Sequence, residues 1–477
     1  MRKKGSVTVF LTLILSLLLS LICASIESVR MASARTQILN GMDIGLYSLF
    51  GQYDKELLAD YDLFALDGSR GGGQLDLAAV CDELEAYMNP VLKQNSQKLT
   101  LCQSGLTGYR LLTDQKGEAF YQQIVGYMQE TLGSQGIQLL LGRMSERQEK
   151  TAQADQSANQ AQSKGSIDRY DSEMNQASEK SQQAAEEAQV VPQAPPAKNP
   201  ITIMKRIMKR GVLELVLPGG NGLSTKEIEK GTLVSGRGLQ QGMEMPDGMT
   251  VENSYTSEVL FQQYLMEHLG SYAEPSSAGL AYQMEYVFGG KNSDEDNLKA
   301  VASKLLFIRE GVNFACLMAD NVKRSEAQAL ATAIASGFLV PPAAVIIEAA
   351  LILCWAFAES VLDVRELFAG GRIPLVKSSG DWQISLGNLP DLMEGLDSMR
   401  RNDEKGMSYK DYLQVLVLTV SKEKKVMRAM DMIENTIREK GRKNFCMDSC
   451  IVALEAFADV KANKKKDFQV IRQYCYE

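Results

Sequence analysis

The chain contains a single histidine, His268, among its 477 residues. A zinc site with several histidine ligands is therefore excluded, and so is any mechanism that needs two histidines. A Ser-His-Asp or Cys-His triad would have to use His268. His268 lies in the amphipathic stretch Phe261–Leu269, just before Gly270. A basic side chain at that position interacts favourably with the dipole of a helix C-terminus. The sequence favours this role over catalysis.

The other residues that could do chemistry form no recognisable site. Eight cysteines are spread thinly, and Cys446 and Cys450 match neither a disulfide framework nor a metal motif. The acidic run Asp294–Asp296 after Ser293 lacks the glycine and distal glutamate of an EF-hand, so it indicates a helix start. The run Gly71–Gly73 lacks the lysine of a phosphate-binding loop. We therefore expect no enzymatic activity, no catalytic or cofactor-binding residue, no metal site and no cofactor.

The composition of the chain excludes further classes of function and of partner. The length of 477 residues suits two or three domains, the 45% of hydrophobic residues is enough for a large core, and the net charge is −8. An acidic chain argues against nucleic acid as a partner, because nucleic acid attracts basic patches. The 59 acidic residues would supply paired carboxylates almost anywhere, so no pair is nominated. No small-molecule substrate is indicated, and an envelope-tethered hydrolase is kept as an alternative.

The most informative element of the sequence is an uncharged apolar run at the N-terminus, Ser6–Ile26. As a helix these residues rise roughly 30 Å, which matches the hydrocarbon core of a bilayer. Arg2, Lys3 and Lys4 precede the run, and basic residues stay in the cytoplasm by the positive-inside rule. We therefore expect a signal-anchor, with one pass through the cell membrane, a cytoplasmic N-terminus and an extracellular bulk. A cleaved secretory signal and a lipoprotein signal at Cys23 are the alternatives.

Charge, apolar runs and helical spacing together predict five segments along the chain. They are a cytoplasmic basic tail at 1–5, a transmembrane helix at 6–26, a pilin-like helix extension with the first part of the ectodomain at 27–149, a low-complexity linker or insertion at 150–200, and the main α-rich ectodomain at 201–477. The residues expected to anchor the helix in lipid are Val7, Phe10, Leu11, Ile14, Leu18, Leu21 and Ile22. The linker is too polar to bury enough apolar surface for a core.

The predicted fold is mainly α with minor β (α+β). The helical spacing of the anchor continues beyond Glu27, and Gly41 and Gly45 are expected to weaken or kink the continuation. A membrane helix that extends into an amphipathic helix is the plan of a pilin, whose second half packs on a globular head or on neighbouring subunits.

Two further elements are expected in the main ectodomain. Hydrophobic helices at 333–368 are interpreted as a buried pair, because Pro341 and Glu348 interrupt the apolar run. The alternative is a second span at 333–358, which would make a two-span sensor or transport-associated protein. A small β-hairpin is expected at 373–386.

Two short segments resemble a known family. The start KKGSVTV, Lys3–Val9, resembles TadE/TadG-like pseudopilins, in which a basic tail, a glycine and a small residue precede the membrane helix. Tyr61–Leu66 resembles the pattern that follows that helix. The resemblance implies prepilin-type processing between Gly5 and Ser6. Phe10 stands where processed prepilins usually carry glutamate, so an unprocessed signal-anchor is the alternative.

The rest of the chain is similar to an uncharacterised family, a domain of unknown function from Gram-positive anaerobes often encoded beside Tad-type pilus genes. The segments that carry this similarity are Met284–Gly290, Trp355–Ser360, Asp363–Val364, Ile373–Leu375 and Asp381–Trp382. The resemblances imply a non-enzymatic component of a Tad-like pilus or secretion apparatus, acting as a minor pseudopilin or assembly partner. Its partners would be membrane lipid and Tad-type pilus or secretion subunits.

Overall fold

The protein is mainly α-helical with minor β-structure, as the sequence predicts. The computed structural model describes residues 4–94, 99–164, 170, 172, 175–176, 179, 200–217, 222–243, 245, 254–337, 343–391, 406–462 and 466–476. The predicted linker at 150–200 lies largely outside the described residues, apart from its first part, which is helical to Lys164.

The described helices and strands are numbered here in chain order. The helices are α1 Lys4–Phe50, α2 Lys55–Tyr61, α3 Leu77–Lys93, α4 Asp114–Lys164, α5 Pro200–Met208, α6 Val212–Val216, α7 Tyr255–His268, α8 Gln283–Gly289, α9 Asp294–Ala319, α10 Asn321–Gly337, α11 Ala344–Phe368, α12 Tyr409–Leu418 and α13 Lys422–Glu439. The strands are β1 Leu66–Asp67, β2 Leu99–Leu111, β3 Arg372–Ile373, β4 Met407–Ser408, β5 Cys450–Ala462 and β6 Lys466–Cys475.

The chain forms two compact units, each assembled from separated segments. The first comprises Met1–Tyr127, Gly231–Glu252 and Ile437–Glu477. The second comprises Met128–Lys230 and Asn253–Thr436. Each unit therefore closes through contacts between residues that are distant in sequence.

A four-stranded antiparallel sheet forms the centre of the first unit. β5 is the central strand, with β2 along one side and β6 paired to Ala453–Ala462 on the other. β1 pairs with the start of β5. Three register shifts interrupt the ladder between β2 and β5, whereas the ladder between β5 and β6 is continuous. The two long edges of this sheet are therefore unlike one another.

The second half of α1 covers this sheet together with α3. Its buried apolar residues recur every three or four positions and are Ala34, Ile38, Met42, Leu46, Leu49 and Phe50. This spacing places them on one face of the helix. The residues of α3 that complete the core are Val80, Leu84, Met88 and Leu92. The amphipathic continuation expected beyond Glu27 is thus a core helix of the first unit.

The expected weakening of α1 at its glycines does not occur, and the helix runs from Lys4 to Phe50. The reason lies in the contact with α3. A Cβ atom on Gly45 would lie 2.6 Å from Cγ of Met88, and one on Gly41 would lie 3.3 Å from Cδ2 of Leu92. These glycines therefore allow the two helices to approach closely, a packing gain that offsets their low helix propensity.

The prediction of a β-hairpin at 373–386 is wrong. Arg372–Ile373 pairs instead with Met407–Ser408, and both strands have only two residues. Between them, Ser378 and Asp381 form a capping box that closes a 3₁₀ turn. The chain therefore turns at the expected place, but its second arm finds a different partner.

The second arm is held by side chains of α11 rather than by a strand. The backbone N–H groups of Gln383 and Ile384 donate to the carboxylate of Glu359 at 3.1 and 3.0 Å. The indole N–H of Trp355 donates to the backbone oxygen of Ile384 at 2.8 Å. Because side chains supply hydrogen-bond partners for these backbone groups, the segment does not need to pair with a β-strand.

The helix α11 lies in the interior of the second unit, where it packs on α9 and α10. Its length and composition would allow it to cross a membrane, but 78% of its most apolar window is buried. Its apolar surface is thus already covered by neighbouring protein.

Candidate functional site

The first half of α1 exposes its apolar side chains. The most apolar window of this helix has a mean hydropathy of 2.7 and is 0% buried. The residues predicted to anchor in lipid expose 42–65% of their surface and are Val7, Phe10, Leu11, Ile14, Leu18, Leu21 and Ile22. A continuous apolar rod of this kind marks a membrane or protein contact. The chain therefore carries a helix that is apolar enough to span a membrane.

The predicted processing position lies at the start of this helix. The backbone of Gly5 and Ser6 is helical, directly after Lys4. Phe10 is 63% exposed, so the position that carries glutamate in processed prepilins presents an aromatic ring here. Processing between Gly5 and Ser6 stays a prediction.

The pseudopilin-like segment Tyr61–Leu66 joins α2 to the sheet. Asp62 ends α2 with φ of 51°, a left-handed conformation that aspartate tolerates better than most residues. The backbone N–H of Phe64 donates to Oε1 of Gln123 at 3.0 Å, and Nε2 of Gln123 donates to the backbone oxygen of Phe64 at 2.9 Å. Within the first unit, this segment therefore binds the first turns of α4 and has a structural role.

The single histidine also occupies a structural position. His268 is the last residue of α7, where Nδ1 lies 3.0 Å from the backbone oxygen of Tyr264. The two rings stack with centroids 4.0 Å apart.

The two neighbouring cysteines near the C-terminus also make a local contact. The thiol of Cys450 donates to the backbone oxygen of Cys446 at 3.7 Å. Among the described residues, no group of three or more His, Cys, Asp or Glu side chains could hold a metal ion.

The acidic run after Ser293 begins α9, which confirms the predicted helix start. The Ser293 hydroxyl accepts a hydrogen bond from the backbone N–H of Asp296 at 3.1 Å. Asp294 is fully buried and accepts the backbone N–H groups of Ala281 and Tyr282 at 2.9 and 3.0 Å. The carboxylate thus ties the loop before α8 to the first turn of α9.

Four charged side chains form a buried network in the second unit. They are Arg309 on α9, Glu359 and Asp363 on α11, and Lys377 after β3, and each side chain is at most 3% exposed. The Lys377 ammonium lies 2.5 Å from a carboxylate oxygen of Glu359 and of Asp363. The Arg309 guanidinium lies 2.8 Å from Asp363. Two positive and two negative charges balance, as burial requires.

Hydrogen bonds complete this network. One guanidinium nitrogen of Arg309 donates to the backbone oxygens of Pro374 and Leu375 at 3.0 and 2.8 Å. The side-chain amide of Asn313 donates to Asp363 at 3.0 Å. Trp382 and Trp355 pack in a T-shaped arrangement with ring centroids 6.1 Å apart. Since the charges are enclosed and paired, the network fixes α9, α11 and the segment after β3 against one another.

A second buried acid lies on α8. Oε1 of Glu285 accepts the hydroxyl of Tyr409 at 2.5 Å and the backbone N–H of Tyr272 at 2.8 Å. Its other oxygen has no hydrogen-bond partner among the described residues. Burial raises the pKa of Glu285 to about 7, and the hydrogen bonds from Tyr409 and Tyr272 offset only part of that rise.

Sequence reasoning missed the charged network, although one signal was present. Glu359 and Asp363 lie one turn apart inside a largely apolar helix, and a buried carboxylate requires a partner. Their partners could not be read from spacing, since Arg309 is 54 residues from Asp363.

Residues 192–462 match DUF5702, described as a family of unknown function, over more than half of the chain. The chain belongs to DUF5702. The match includes the charged network and Glu285 and ends with β5, whereas α1 lies outside it. No curated protein and no solved structure matches the chain. The segments at 284–290, 355–360, 363–364, 373–375 and 381–382 thus lie inside the DUF5702 match. They include Glu285 and the network residues Glu359 and Asp363.

Proposed function

We propose that this DUF5702 protein is a non-enzymatic, membrane-anchored component of a Tad-like pilus or secretion apparatus, a minor pseudopilin or assembly partner. In this proposal Ser6–Ile26 crosses the cell membrane, the basic tail stays in the cytoplasm and both units face outward. The positive-inside rule supports that orientation, because Arg2, Lys3 and Lys4 precede the apolar helix.

The observation that carries this proposal is the division of α1 into two halves. The apolar window of the first half is 0% buried, whereas Ala34, Ile38 and Met42 in the second half are at most 2% exposed. One uninterrupted helix thus joins a lipid-compatible rod to the core of a folded unit. This is the plan of a pilin, and the resemblance of Lys3–Val9 to TadE/TadG-like pseudopilins points the same way.

The sheet topology favours one span over two. β2 precedes α11 and β5 follows it, yet the two strands pair along most of their length. A single crossing by α11 would place these strands on opposite sides of a bilayer. Their pairing therefore supports the interpretation of α11 as a core helix rather than the second span at 333–358.

Membrane fractionation tests the proposal. Full-length protein should stay in carbonate-washed membranes, require detergent for release, and co-purify with Tad-type subunits of the same membranes through a C-terminal tag. Full-length protein dissolved in cytosol without detergent would rule out the anchor, and absence of Tad-type subunits from the purified material would rule out the assembly role.

N-terminal sequencing of the extracted protein decides how α1 is handled. A chain that begins at Ser6 indicates prepilin-type processing, and an intact start indicates a simple signal-anchor. A chain that begins near Ile26 would mean that a signal peptide is removed, which contradicts the proposed anchor.

A further inference from the structure

Among the described strands, β6 lies at an edge of the sheet in the first unit. Among the described strands β6 pairs only with β5, through ten consecutive residue pairs without a bulge. A regular edge presents a row of backbone donors and acceptors to which another strand can add. The opposite edge, β2, is interrupted by three register shifts. β6 is therefore the edge better suited to binding a strand.

An apolar groove of about 420 Å³ lies between β6 and α1. The residues that line it are Asp43, Ile44, Leu46, Tyr47, Gln473 and Tyr474. Ile44 and Tyr47 expose 47% and 69% of their surface. The ring of Tyr474 lies between Tyr47 and Phe50, at centroid distances of 6.4 and 4.8 Å. Exposed apolar side chains beside an open strand edge are the features that strand addition uses for specificity.

β6 runs in the same direction as α1. Three contacts advance together along the two elements, namely Asp43–Arg472, Tyr47–Tyr474 and Phe50–Tyr476. An antiparallel pair of two β6 strands would therefore reverse the second copy and point its anchor away from the shared membrane. This step rests on the proposed anchoring of α1. Two copies in one bilayer cannot pair in that way.

The β2 strand of a second copy is also a poor partner. Its ladder already carries three register shifts, and its Tyr109 is engaged by the backbone oxygens of Met243 and Gln241. Charge adds a further constraint. β6 carries Lys466, Asp467 and Arg472. Arg472 pairs with Asp43 of the groove and Asp467 with Lys461 of β5, so these five groups together have a net charge of +1 in a chain of −8. The edge therefore favours a neutral or acidic strand.

We propose that the β6 edge binds an extended segment of a different protein as an added antiparallel strand. An apolar side chain of that segment enters the groove between Ile44, Tyr47 and Tyr474, while its backbone pairs with β6. Antiparallel addition gives the more stable ladder. The partner is thus a neutral or acidic segment with alternating apolar residues.

The test uses full-length protein in detergent micelles and a labelled nine-residue peptide of alternating valine and threonine with glutamate at both ends. Saturable binding should appear in fluorescence anisotropy. The same peptide N-methylated at alternate residues cannot complete a ladder and should bind at least about tenfold more weakly. Ile44→Glu should weaken binding by a similar factor because it places a charge in the groove. Leu139→Glu is the matched control, since Leu139 is 66% exposed on α4, and it should bind like the unmodified protein.

Three results would overturn the proposal. They are the lack of saturable binding up to about 1 mM peptide, equal binding of both peptides, and unchanged binding by a folded Ile44→Glu variant. A dimer in sedimentation that Ile44→Glu abolishes would identify a second copy as the occupant and overturn it too. Circular dichroism establishes that the variants are folded. Failure of the anchor would appear separately, as protein that needs no detergent.

Discussion

At the scale of single residues, the buried carboxyl of Glu285 makes stability depend on pH. Its pKa in the folded protein is about 7, above the ordinary value of 4.5. Between those values the folded state keeps a proton that the unfolded state releases, so stability falls as pH rises from 4.5 toward 7. The total loss in the free energy of unfolding is about 3 kcal/mol. The groups that face Glu285 are Tyr409, Tyr272, Tyr282 and the carboxylate of Asp294.

The Glu285→Gln variant should remove this dependence. The free energy of unfolding of the variant, relative to that of the unmodified protein, should rise by about 3 kcal/mol between pH 4.5 and pH 8, because glutamine stays neutral. Urea unfolding at several pH values measures the difference. Glu267→Gln on the exposed side of α7 serves as the control and should track the unmodified protein. A difference between Glu285→Gln and unmodified protein that does not change with pH would contradict the assignment.

The charged network also makes a residue-scale prediction. Arg309→Met leaves Asp363 buried with one cation fewer, which should destabilise the second unit by about 3–5 kcal/mol. Arg324→Met is the matched control, because Arg324 is 51% exposed in its 3.2 Å pair with Glu348 and should cost at most about 1 kcal/mol. The two tryptophans report unfolding of this unit by fluorescence, since Trp382 lies 5.5 Å from the Lys377 ammonium. Equal losses in both variants would refute the structural role of the network.

At the scale of elements, the contact between α1 and α3 depends on a missing side chain. Gly45→Leu should destabilise the first unit by about 1–3 kcal/mol, because even the first added carbon meets Met88 at 2.6 Å. Gly126→Leu is the matched control in α4, where an added Cβ meets no atom within 4 Å. Both changes raise helix propensity equally, so thermal unfolding compares their packing alone. A Gly45→Leu protein as stable as the control would show that the two helices can separate freely.

Local signals predicted helices better than strands. Ser293 before an acidic turn correctly predicted the start of α9, and apolar spacing correctly predicted that α1 continues beyond its exposed apolar half. β5 and β6 were not predicted, although Leu454–Val460 alternates between fully and partly buried residues as a half-covered strand does. The pairing of β2 with β5 joins residues about 350 positions apart, as in the bond between Thr107 and Glu455. No periodicity within a short window carries that information.

The prediction of the hairpin at 373–386 also failed because of contacts between residues that are distant in sequence. Alternation and a turn at Ser378–Asp381 correctly suggest a reversal of the chain, but they do not reveal what the second arm will contact. Glu359, distant in sequence, supplies carboxylate oxygens to that arm, and β4 takes the place of the expected partner. Similarly, the groove beside β6 combines the end of α1 with the end of the chain. Such a site exists only after folding.

At the scale of the whole molecule, strand pairing constrains how the chain meets a membrane. Cys102 on β2 and Cys475 on β6 are both exposed, and both strands pair with β5. They precede and follow α11 in sequence. Because one sheet holds both strands, the two thiols must lie on the same side of any bilayer. In the proposed orientation of α1, that side is the outside of the cell.

Intact cells should therefore label both thiols with a membrane-impermeant maleimide, as read by mass spectrometry of the peptides. Cys23 in the apolar helix should stay unlabelled, because lipid excludes a charged reagent, and the buried Cys354 should react only after unfolding. Permeabilised cells supply the control for total reactivity. Labelling of Cys102 without Cys475 would indicate that the β6 edge is covered in the cell, as the proposed strand addition requires, because the shared sheet forbids a membrane crossing between β2 and β6. Protection of both until permeabilisation would place the sheet in the cytoplasm and reverse the proposed orientation.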